Sequence, residues 1–415
     1  MGKIHKHDPR FIAVNRSKKS GFNAGTMQQD NRNLTLQLIR KAGAISRKQI
    51  AEQTGLQLAT VTIMIKELLE QGVIRENGLI DGGQGRHVTA FSMIDDLYVI
   101  IVRLTAVYVK IALYDININP IYVHKEFFKT EDTIKEAIDI ICLNVEKIET
   151  TVYKKKILSI NIGVEHEYRI IGTDFAVWDK YRQCYCVIGK EIFDKTDYKV
   201  YVNRAINYSS YDLWDRYMEY RNEEIDYATI VCIQLSYDLE GAILVNRELL
   251  YGAEGTCGQI KDLRVDKESN RTYTDVVAVP ALLKKAEALL EKYPDSVIAG
   301  KEKLNIRDVI AGYMQEDALC KKVYDEAAEY LGYLFAQIIE WFNPDAILIE
   351  DEIPASREYV DVLQKVAAQY CSEEKAKRIG TLLSKDFTRE TKNDPALIGG
   401  AKYAFDFHIT EVGLL

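Results

Sequence analysis

The stretch between residues 57 and 66 carries small and polar side chains at the amino-terminal end of a segment with helical spacing. In DNA-binding proteins, that end of a recognition helix meets the base edges in the major groove. Nearby, Arg86 ends a glycine-rich tip (residues 81–86) and suits a phosphate or minor-groove contact. The residue types predict a DNA interface made of Arg47, Gln57, Thr60, Thr62, Ile63, Lys66 and Arg86.

Local signals mark the helices that position this interface. Ser46 and Gln49 have the spacing of a capping box, so a helix is expected to start at Ser46 and to reach Thr54. Gly55 supplies the unusual backbone angle that a tight turn needs. The recognition helix is predicted over residues 59–71, where apolar residues recur at i, i+4, i+7 and i+8: Val61, Ile65, Leu68 and Leu69.

The remaining parts of this unit complete a winged helix-turn-helix, assigned to residues 31–94. A first short helix is predicted from Leu34, Leu38 and Ile39, whose spacing places an apolar stripe on the inner face. Two strands, 73–76 and 88–93, flank the glycine-rich tip and form the wing. A protein-interaction module shares this packing but lacks the basic surplus and the arginine-ended wing.

Charge is divided unevenly along the chain. Residues 1–90 hold 14 Lys and Arg against 7 Asp and Glu, a net of +7, while the rest holds 40 against 55, a net of −15. A basic head attracts polyanions, and an acidic body stays off the phosphate backbone. Residues 1–30, basic and poor in apolar side chains, are expected to form a mobile arm that either assists DNA binding or is a solvated tail without a role.

The composition indicates a folded, cytoplasmic protein of two or three units. Of 415 residues, 47% are apolar and 28% charged, with no uninterrupted apolar run of membrane-spanning length and a polar amino terminus. The seven cysteines are odd in number and scattered, which is typical of reduced, buried thiols. Cys184 and Cys186 have ligand-like spacing, but no second pair completes a tetrahedral site, so we expect no metal.

From residue 97 onward, strands and helices alternate in two similar runs. Each run opens with two consecutive strands and adds helices later, which suggests a duplicated α/β architecture with a cleft between two lobes. The predicted strands are 98–104, 107–114, 121–128, 157–163, 228–235, 241–245 and 346–349, and the predicted helices are 133–150, 317–341 and 359–370.

With these parts in this order, the chain resembles the transcriptional-regulator branch of the ROK family (repressors, open reading frames and sugar kinases). The resemblance implies a winged helix-turn-helix followed by an actin-like (ribonuclease H-like) two-lobed sugar-kinase fold. It places the first lobe at 95–220, completed by 393–415, and the second at 221–392. The stretches that carry it are Ser46–Ala51, Gly55-Leu56, Gly85-Arg86, Gly252–Ile260, Asn343-Pro344-Asp345 and Leu397–Ala401.

The chain departs from the family where the kinases perform catalysis. In the kinases an Asn-Asp pair binds the sugar and the Asp acts as general base, whereas here the pair reads Asn203-Arg204. Arginine cannot accept a proton at neutral pH, so general-base catalysis is lost. Residues 104–108 lack the glycines that expose backbone amides to phosphate, residues 235–241 keep one, and Glu350-Asp351 replaces a glycine pair.

The sugar and zinc motifs have also changed. The family's Glu-Ile-Gly-His becomes residues 259–262, Gln-Ile-Lys-Asp, without the metal-binding histidine, and the following cysteine cluster is absent from 263–279. The loop near the sugar, residues 163–167, is bulkier and charged, which indicates a reshaped or a filled pocket. Polar residues that still suit a small polar ligand are Glu165, His166, Asn203, Arg204, Gln259 and Asp262.

These ligand residues have alternative interpretations. His166 is a ligand contact, a pH sensor or an exposed loop histidine. Arg204 either pairs with Asp262 or Glu165 and closes the cleft, or recognises an anionic ligand.

The sequence therefore predicts a non-enzymatic, homodimeric DNA-binding regulator, or a dimer of dimers, without a cofactor. Two identical heads would bind two half-sites related by two-fold symmetry, and a sugar or another small polar ligand would alter their spacing. The expected role is a repressor of carbohydrate-related genes. The alternatives are a constitutive DNA-binding scaffold with a plugged cleft and an active sugar kinase with a DNA-binding head.

Overall fold

A computed structural model of the chain describes residues 24–81, 87–165, 168–171, 174–221, 227–252, 255–380 and 394–409. The chain divides into two compact units, Met1–Ala205 with Leu397–Leu415, and Ile206–Ala396. No helix within the described ranges has the length and apolar character needed to span a membrane.

The first unit begins with three helices and a small sheet: α1 (Ala24–Ala42), β1 (Ile45–Ser46), α2 (Arg47–Thr54), α3 (Leu58–Glu70), β2 (Ile74–Asp81) and β3 (His87–Met93). The sheet is antiparallel, in the order β1-β3-β2. This is the winged helix-turn-helix that the sequence predicts, with β2 and β3 as the wing strands.

The first unit continues with a larger α/β region: β4 (Tyr98–Thr105), β5 (Tyr108–Asp115), β6 (Pro120–Phe127), α4 (Thr133–Glu149), β7 (Ile157–Glu165), β8 (Tyr168–Ile171), β9 (Asp174–Asp179), β10 (Cys184–Cys186), α5 (Ile188–Thr196) and β11 (Val200–Arg204). Its main sheet has the order β11-β7-β4-β5-β6, and a smaller one has the order β10-β9-β8. β7 runs parallel to both β4 and β11, so their carboxyl ends meet at one edge.

The second unit repeats this plan with more helices: α6 (Ala205–Arg221), β12 (Thr229–Leu235), β13 (Leu239–Val245), β14 (Glu248–Leu249), α7 (Thr274–Val277), α8 (Val279–Leu289), α9 (Ile306–Met314), α10 (Ala318–Phe342), β15 (Ala346–Asp351), α11 (Arg357–Ala367), α12 (Glu373–Ala376) and β16 (Ile379–Gly380). Its sheet has the order β14-β13-β12-β15-β16. From residue 397 onward, α13 (Pro395–Phe407) belongs to the first unit. Each unit thus holds a mixed five-stranded sheet, as the duplicated pattern predicts.

One hydrophobic cluster runs through the head, one face of the main sheet of the first unit, and α13. Its fully buried members include Leu36, Ile39, Ile65, Val99, Ile101, Leu397 and Phe405. An ion pair also joins the head to α13. Arg40 Nη2, near the end of α1, lies 2.5 Å from Asp406 Oδ1 on α13, and both side chains are nearly buried. The described part of the head therefore shares its core with the body of the first unit.

The start of the head differs from its prediction. α1 extends back to Ala24, so residues 24–30 are helical rather than part of a mobile arm, and the rest of the expected arm lies outside the described residues. Leu34 is 45% exposed, while Leu36 is fully buried together with Ile39. The predicted stripe is displaced because α1 presents to α2 and β3 the face that holds Leu36 and Ile39.

The boundaries between the units lie at 205/206 and 396/397, whereas the sequence placed them at 220/221 and 392/393. The boundary at 205/206 is explained by the packing of α6. Its residues Ile206, Leu213 and Trp214 are buried in a cluster with apolar residues of β12, β13 and β15, so the helix belongs to the second unit.

Candidate nucleic-acid interface and ligand site

The amino-terminal cap of α2 sets the geometry of the helix-turn-helix. Ser46 Oγ accepts a hydrogen bond from the backbone N–H of Gln49 at 3.3 Å, and Gln49 Oε1 accepts one from the Ser46 N–H at 3.0 Å. Both bonds of the predicted capping box are therefore present. Gly55 ends the helix with a φ of 70°, a left-handed angle that favours glycine.

α3 separates a buried face from an exposed one, as the apolar spacing predicts. Val61, Ile65 and Leu68 are fully buried, whereas Leu58 and Ile63 are 52% and 61% exposed. The exposed side chains at the start of the helix are Gln57, Leu58, Ala59, Thr60, Thr62, Ile63 and Lys66. The structure thus brings five of the seven predicted interface residues to one surface, and adds Leu58 and Ala59, which the sequence analysis did not single out.

The hydrogen-bonding groups on this surface differ in their availability. Thr62 Oγ1 donates to the carbonyl of Leu58 at 2.8 Å, so its hydroxyl is engaged by the helix. Lys66 Nζ lies 3.8 Å from Glu70 Oε1, an exposed pair of little energetic weight. Gln57 is the amino-terminal cap residue of α3, yet its side chain makes no capping bond.

Arg47 lies at the start of α2, and its guanidinium carbon is 4.4 Å from the ring centroid of Phe91 on β3. Phe91 is fully buried, so this cation–π contact helps hold α2 on the sheet. Arg86 lies outside the described residues.

Three of the predicted ligand residues lie at the carboxyl ends of adjacent parallel strands in the first unit. Glu165 ends β7, and Asn203 and Arg204 end β11, paired in register with Gly163 and Val164. Both Asn203 and Arg204 are buried, and Asn203 Oδ1 accepts from the Arg204 N–H at 2.9 Å. This edge is where open α/β sheets bind ligands. His166 lies outside the described residues.

Arg103 is a site residue that the sequence analysis missed. Its Nε and Nη2 both lie 2.5 Å from Glu165 Oε1, and each of the two side chains is only 9% exposed. A buried carboxylate requires such a partner. The available signal was a basic residue within the otherwise apolar strand 98–105. On β11, two residues before Asn203, burial raises the pKa of Tyr201 to about 12, so its phenol stays protonated.

Two amides of the hairpin between β4 and β5 are engaged by a side chain of the same hairpin. Thr105 Oγ1 accepts hydrogen bonds from the backbone N–H groups of Val107 and Tyr108, at 3.2 and 3.0 Å. A glycine-rich phosphate loop leaves such groups pointing at the ligand. Here one threonine hydroxyl occupies them.

In the second unit, Glu350 and Asp351 occupy the positions where the family resemblance places paired glycines. Gln234 Nε2 donates to Asp351 Oδ2 at 2.5 Å, and Gln234 also pairs in register with the buried Glu350. Negative charge at this position repels a nucleotide phosphate.

Gln259 and Asp262 also lie in the second unit, in a loop held by close backbone packing. The Gly241 N–H donates to the Gly258 carbonyl at 2.8 Å, and a Cβ on Gly258 would lie 2.2 Å from the Gly241 carbonyl oxygen. Gln259 is half-buried and Asp262 is exposed.

The described residues contain no group of three or more His, Cys, Asp or Glu side chains placed to hold a metal ion. At Cys184 and Cys186, burial and the neighbouring thiol raise the pKa of Cys186 to about 11.

Two family descriptions match the chain. The ROK family matches residues 102–404, and the winged helix-turn-helix DNA-binding family matches residues 30–75. The first match spans well over half of the chain, and it begins within β4 and ends within α13.

Characterised relatives are similar over most of their length. The xylose repressor of Bacillus subtilis strain 168 is 22% identical over 344 residues, 80% of this chain and 84% of the relative. The DNA-binding transcriptional dual regulator NagC of Escherichia coli K12 is 21% identical over 356 residues, 80% of this chain and 82% of the relative.

Solved structures show the same fold. A ROK family transcriptional regulator, a homologue of the Escherichia coli Mlc protein, superposes with a TM-score of 0.73 at 20% identity and covers 93% of this chain and 100% of its own. A ROK glucokinase from Streptomyces griseus, solved with glucose and AMPPNP, superposes with a TM-score of 0.58 at 15% identity over 74% of this chain and 98% of its own. Since the family match spans most of the body and the winged-helix match lies on α1–α3, the chain belongs to the ROK family and carries a winged helix-turn-helix DNA-binding domain at its amino-terminal end.

Proposed function

We propose that the protein is a sequence-specific DNA-binding transcriptional repressor of carbohydrate-related genes, with a body that senses a ligand and performs no phosphoryl transfer. The observation that carries the proposal is the exposed face of α3 on a winged helix-turn-helix that shares its core with a ROK body. The relatives named xylose repressor and N-acetylglucosamine repressor support the regulatory role and the carbohydrate connection.

The chemistry of the body supports a regulator rather than a sugar kinase. Arg204 occupies the position of the general base and cannot accept a proton. Thr105 accepts hydrogen bonds from two amides of the first hairpin, and Glu350 and Asp351 add negative charge on the strand that would face phosphate. The family's kinases use a general base at the first position, a phosphate-binding hairpin at the second and a glycine pair at the third.

The DNA-binding proposal is tested by a salt titration of affinity for the promoter of the protein's own operon, measured by fluorescence anisotropy. Affinity should fall steeply with salt, and Lys66→Ala combined with Arg86→Ala should weaken binding and flatten the slope by one to two units, because phosphate contacts release counterions. Lys135→Ala with Lys190→Ala removes two exposed charges from α4 and α5 and is the matched control. Salt-independent binding, or equal effects of both pairs, contradicts the interface.

The ligand is proposed to be a sugar or another small polar molecule that contacts Glu165, Asn203 and Arg204 in the first unit. His166, Gln259 and Asp262 are further candidate contacts on their own segments. A thermal-shift screen of sugars, sugar phosphates and nucleotides tests this, with Asn203→Ala expected to abolish the shift that an identified sugar produces. Stabilisation by ATP would contradict the loss of kinase function.

A constitutive DNA-binding scaffold is the second candidate, and the Arg103–Glu165 pair favours it. A carboxylate already bound to arginine is less available to a sugar hydroxyl. If no compound in the screen shifts the melting temperature while DNA binding is intact, the scaffold replaces the sensor.

We further propose a cytoplasmic homodimer, or a dimer of dimers, that places two heads on two half-sites. Light scattering of the purified protein should give twice or four times 47.4 kDa. Binding should weaken strongly when the spacing of the half-sites is changed by five base pairs, because half a helical turn moves one site to the opposite face of the duplex. A monomer, or indifference to spacing, overturns this part.

A further inference from the structure

The exposed start of α3 is unusually rich in methyl groups. Leu58 and Ile63 are large, apolar and more than half exposed, and Ala59 lies between them on the same surface. The hydroxyl of Thr62 donates to the Leu58 carbonyl, so the helix backbone engages its polar group. These four side chains offer a partner mainly apolar surface.

The same stretch has few side chains that recognise guanine or adenine through paired hydrogen bonds. Between residues 57 and 66 there is no arginine or asparagine, and Gln57 is the single amide. The one cation, Lys66, lies two helical turns into α3 beside Glu70. On this face, therefore, only Gln57 could recognise a base through two hydrogen bonds.

The major groove presents one apolar group that matches this surface, the C5-methyl of thymine. Side-chain methyl groups contact it directly, and this contact distinguishes a T·A pair from a C·G pair. Burying a methyl-sized group is favourable by about a factor of four in the binding constant at 298 K. An exposed isoleucine and leucine have no comparable gain from phosphate, sugar or a guanine edge.

We propose that Ile63 and Leu58 are specificity-determining residues that bind thymine C5-methyl groups, so that thymines occupy the half-site positions beneath the start of α3. This rests on the proposed DNA-binding function. Sequence would then be recognised largely by van der Waals contact at the start of this helix, and electrostatic affinity would come from Lys66 and from basic groups elsewhere in the head.

The experiment uses the full-length protein and a half-site duplex mapped by footprinting on its own promoter. Each thymine is replaced in turn by deoxyuridine, which removes the methyl group and keeps every hydrogen-bonding atom. We expect a loss of about fourfold at the positions under α3 and no change at the other thymines. This arm needs no protein variant and so is independent of folding.

Ile63→Ala then identifies the contact. The variant should bind the thymine duplex more weakly than the wild type does, yet match the wild type on the duplex that carries deoxyuridine at its contact position, because the two changes remove the same interaction. Leu143→Ala, a half-exposed leucine on α4, is the matched control and should change neither affinity.

Two results overturn the inference: every deoxyuridine duplex binds as tightly as the parent, or Ile63→Ala weakens the thymine and deoxyuridine duplexes equally. A protein that binds none of the promoter duplexes contradicts the proposed function instead. The two failures are therefore distinguishable.

Discussion

At the scale of single residues, the hydroxyl of Ser46 determines where α2 begins. It satisfies one backbone donor of the helix, and Gln49 satisfies the Ser46 N–H in return. This pair is local in sequence, so it could be predicted from spacing alone.

Ser46→Ala should lower the free energy of unfolding of the first unit by about 1 kcal/mol, because an orphan amide is left at the helix start. Urea denaturation followed by circular dichroism measures the change. Ser46→Asn keeps an accepting side chain and should cost little. Equal losses for the two variants would show that the cap is not the cause.

A second prediction concerns the close approach of Gly258 to Gly241. Gly258→Ala should destabilise the second unit clearly, since the added Cβ would overlap the Gly241 carbonyl oxygen. Gly300 has a similar φ of 80° with open space around it, so Gly300→Ala isolates the backbone strain, about 1–2 kcal/mol. Comparable melting temperatures for the two variants would contradict the steric argument.

A third prediction concerns pH. The hydrogen bond from Lys301, together with that from the Asn305 N–H, lowers the pKa of Asp308 against the opposing effect of burial. A lowered pKa in the folded state stabilises the protein above the ordinary carboxyl pKa, and that stability is lost as pH falls through the lowered value. Between pH 6 and pH 3, wild type should lose more stability than Asp308→Asn in chemical denaturation, and parallel losses would contradict the assignment.

At the scale of elements, α13 connects parts of the chain that are far apart in sequence. Arg40 and Asp406 are 366 residues apart and form a nearly buried ion pair between α1 and α13. In the body, the sequence pattern predicted the strands β4 to β7, β12, β13 and β15 and the helices α4, α10 and α11 within a few residues, but it did not predict α5 to α9 or β8 to β11. It could not predict this pair, the Arg103–Glu165 pair or the burial of Leu36, since each depends on which elements become neighbours.

The fourth prediction follows from this ion pair. Asp406→Ala leaves the Arg40 guanidinium nearly buried without this partner and should cost about 3–5 kcal/mol of stability. Arg40→Met combined with Asp406→Leu replaces both charges and should recover most of the loss in guanidinium denaturation. A double variant as unstable as the single one would mean that Asp406 acts through other contacts.

At the scale of the whole molecule, the departures from the kinase motifs are distributed over several segments. The resemblance to the family showed the change at Arg204 and the missing glycines, because those motifs can be compared residue by residue. It did not predict that Thr105 would occupy two amides of the first hairpin, because that requires the geometry of the turn.

Arg204→Asp should therefore yield no phosphoryl transfer to a panel of sugars, measured by coupled ADP release. Restoring the base leaves the hairpin amides bonded to Thr105 and leaves the Glu350 and Asp351 carboxylates in place. ATP-dependent turnover in this single variant would show that the base alone had been lost.

The hydrophobic cluster shared by the head, the main sheet of the first unit and α13 also limits how this protein can be recombined. A head joined to another regulator's body would keep its α3 surface. It would lose the apolar contacts that Leu397 and Phe405 make with its interior. We therefore expect the DNA specificity of this protein to be changed more easily by substituting the few exposed residues of α3 than by exchanging the whole head.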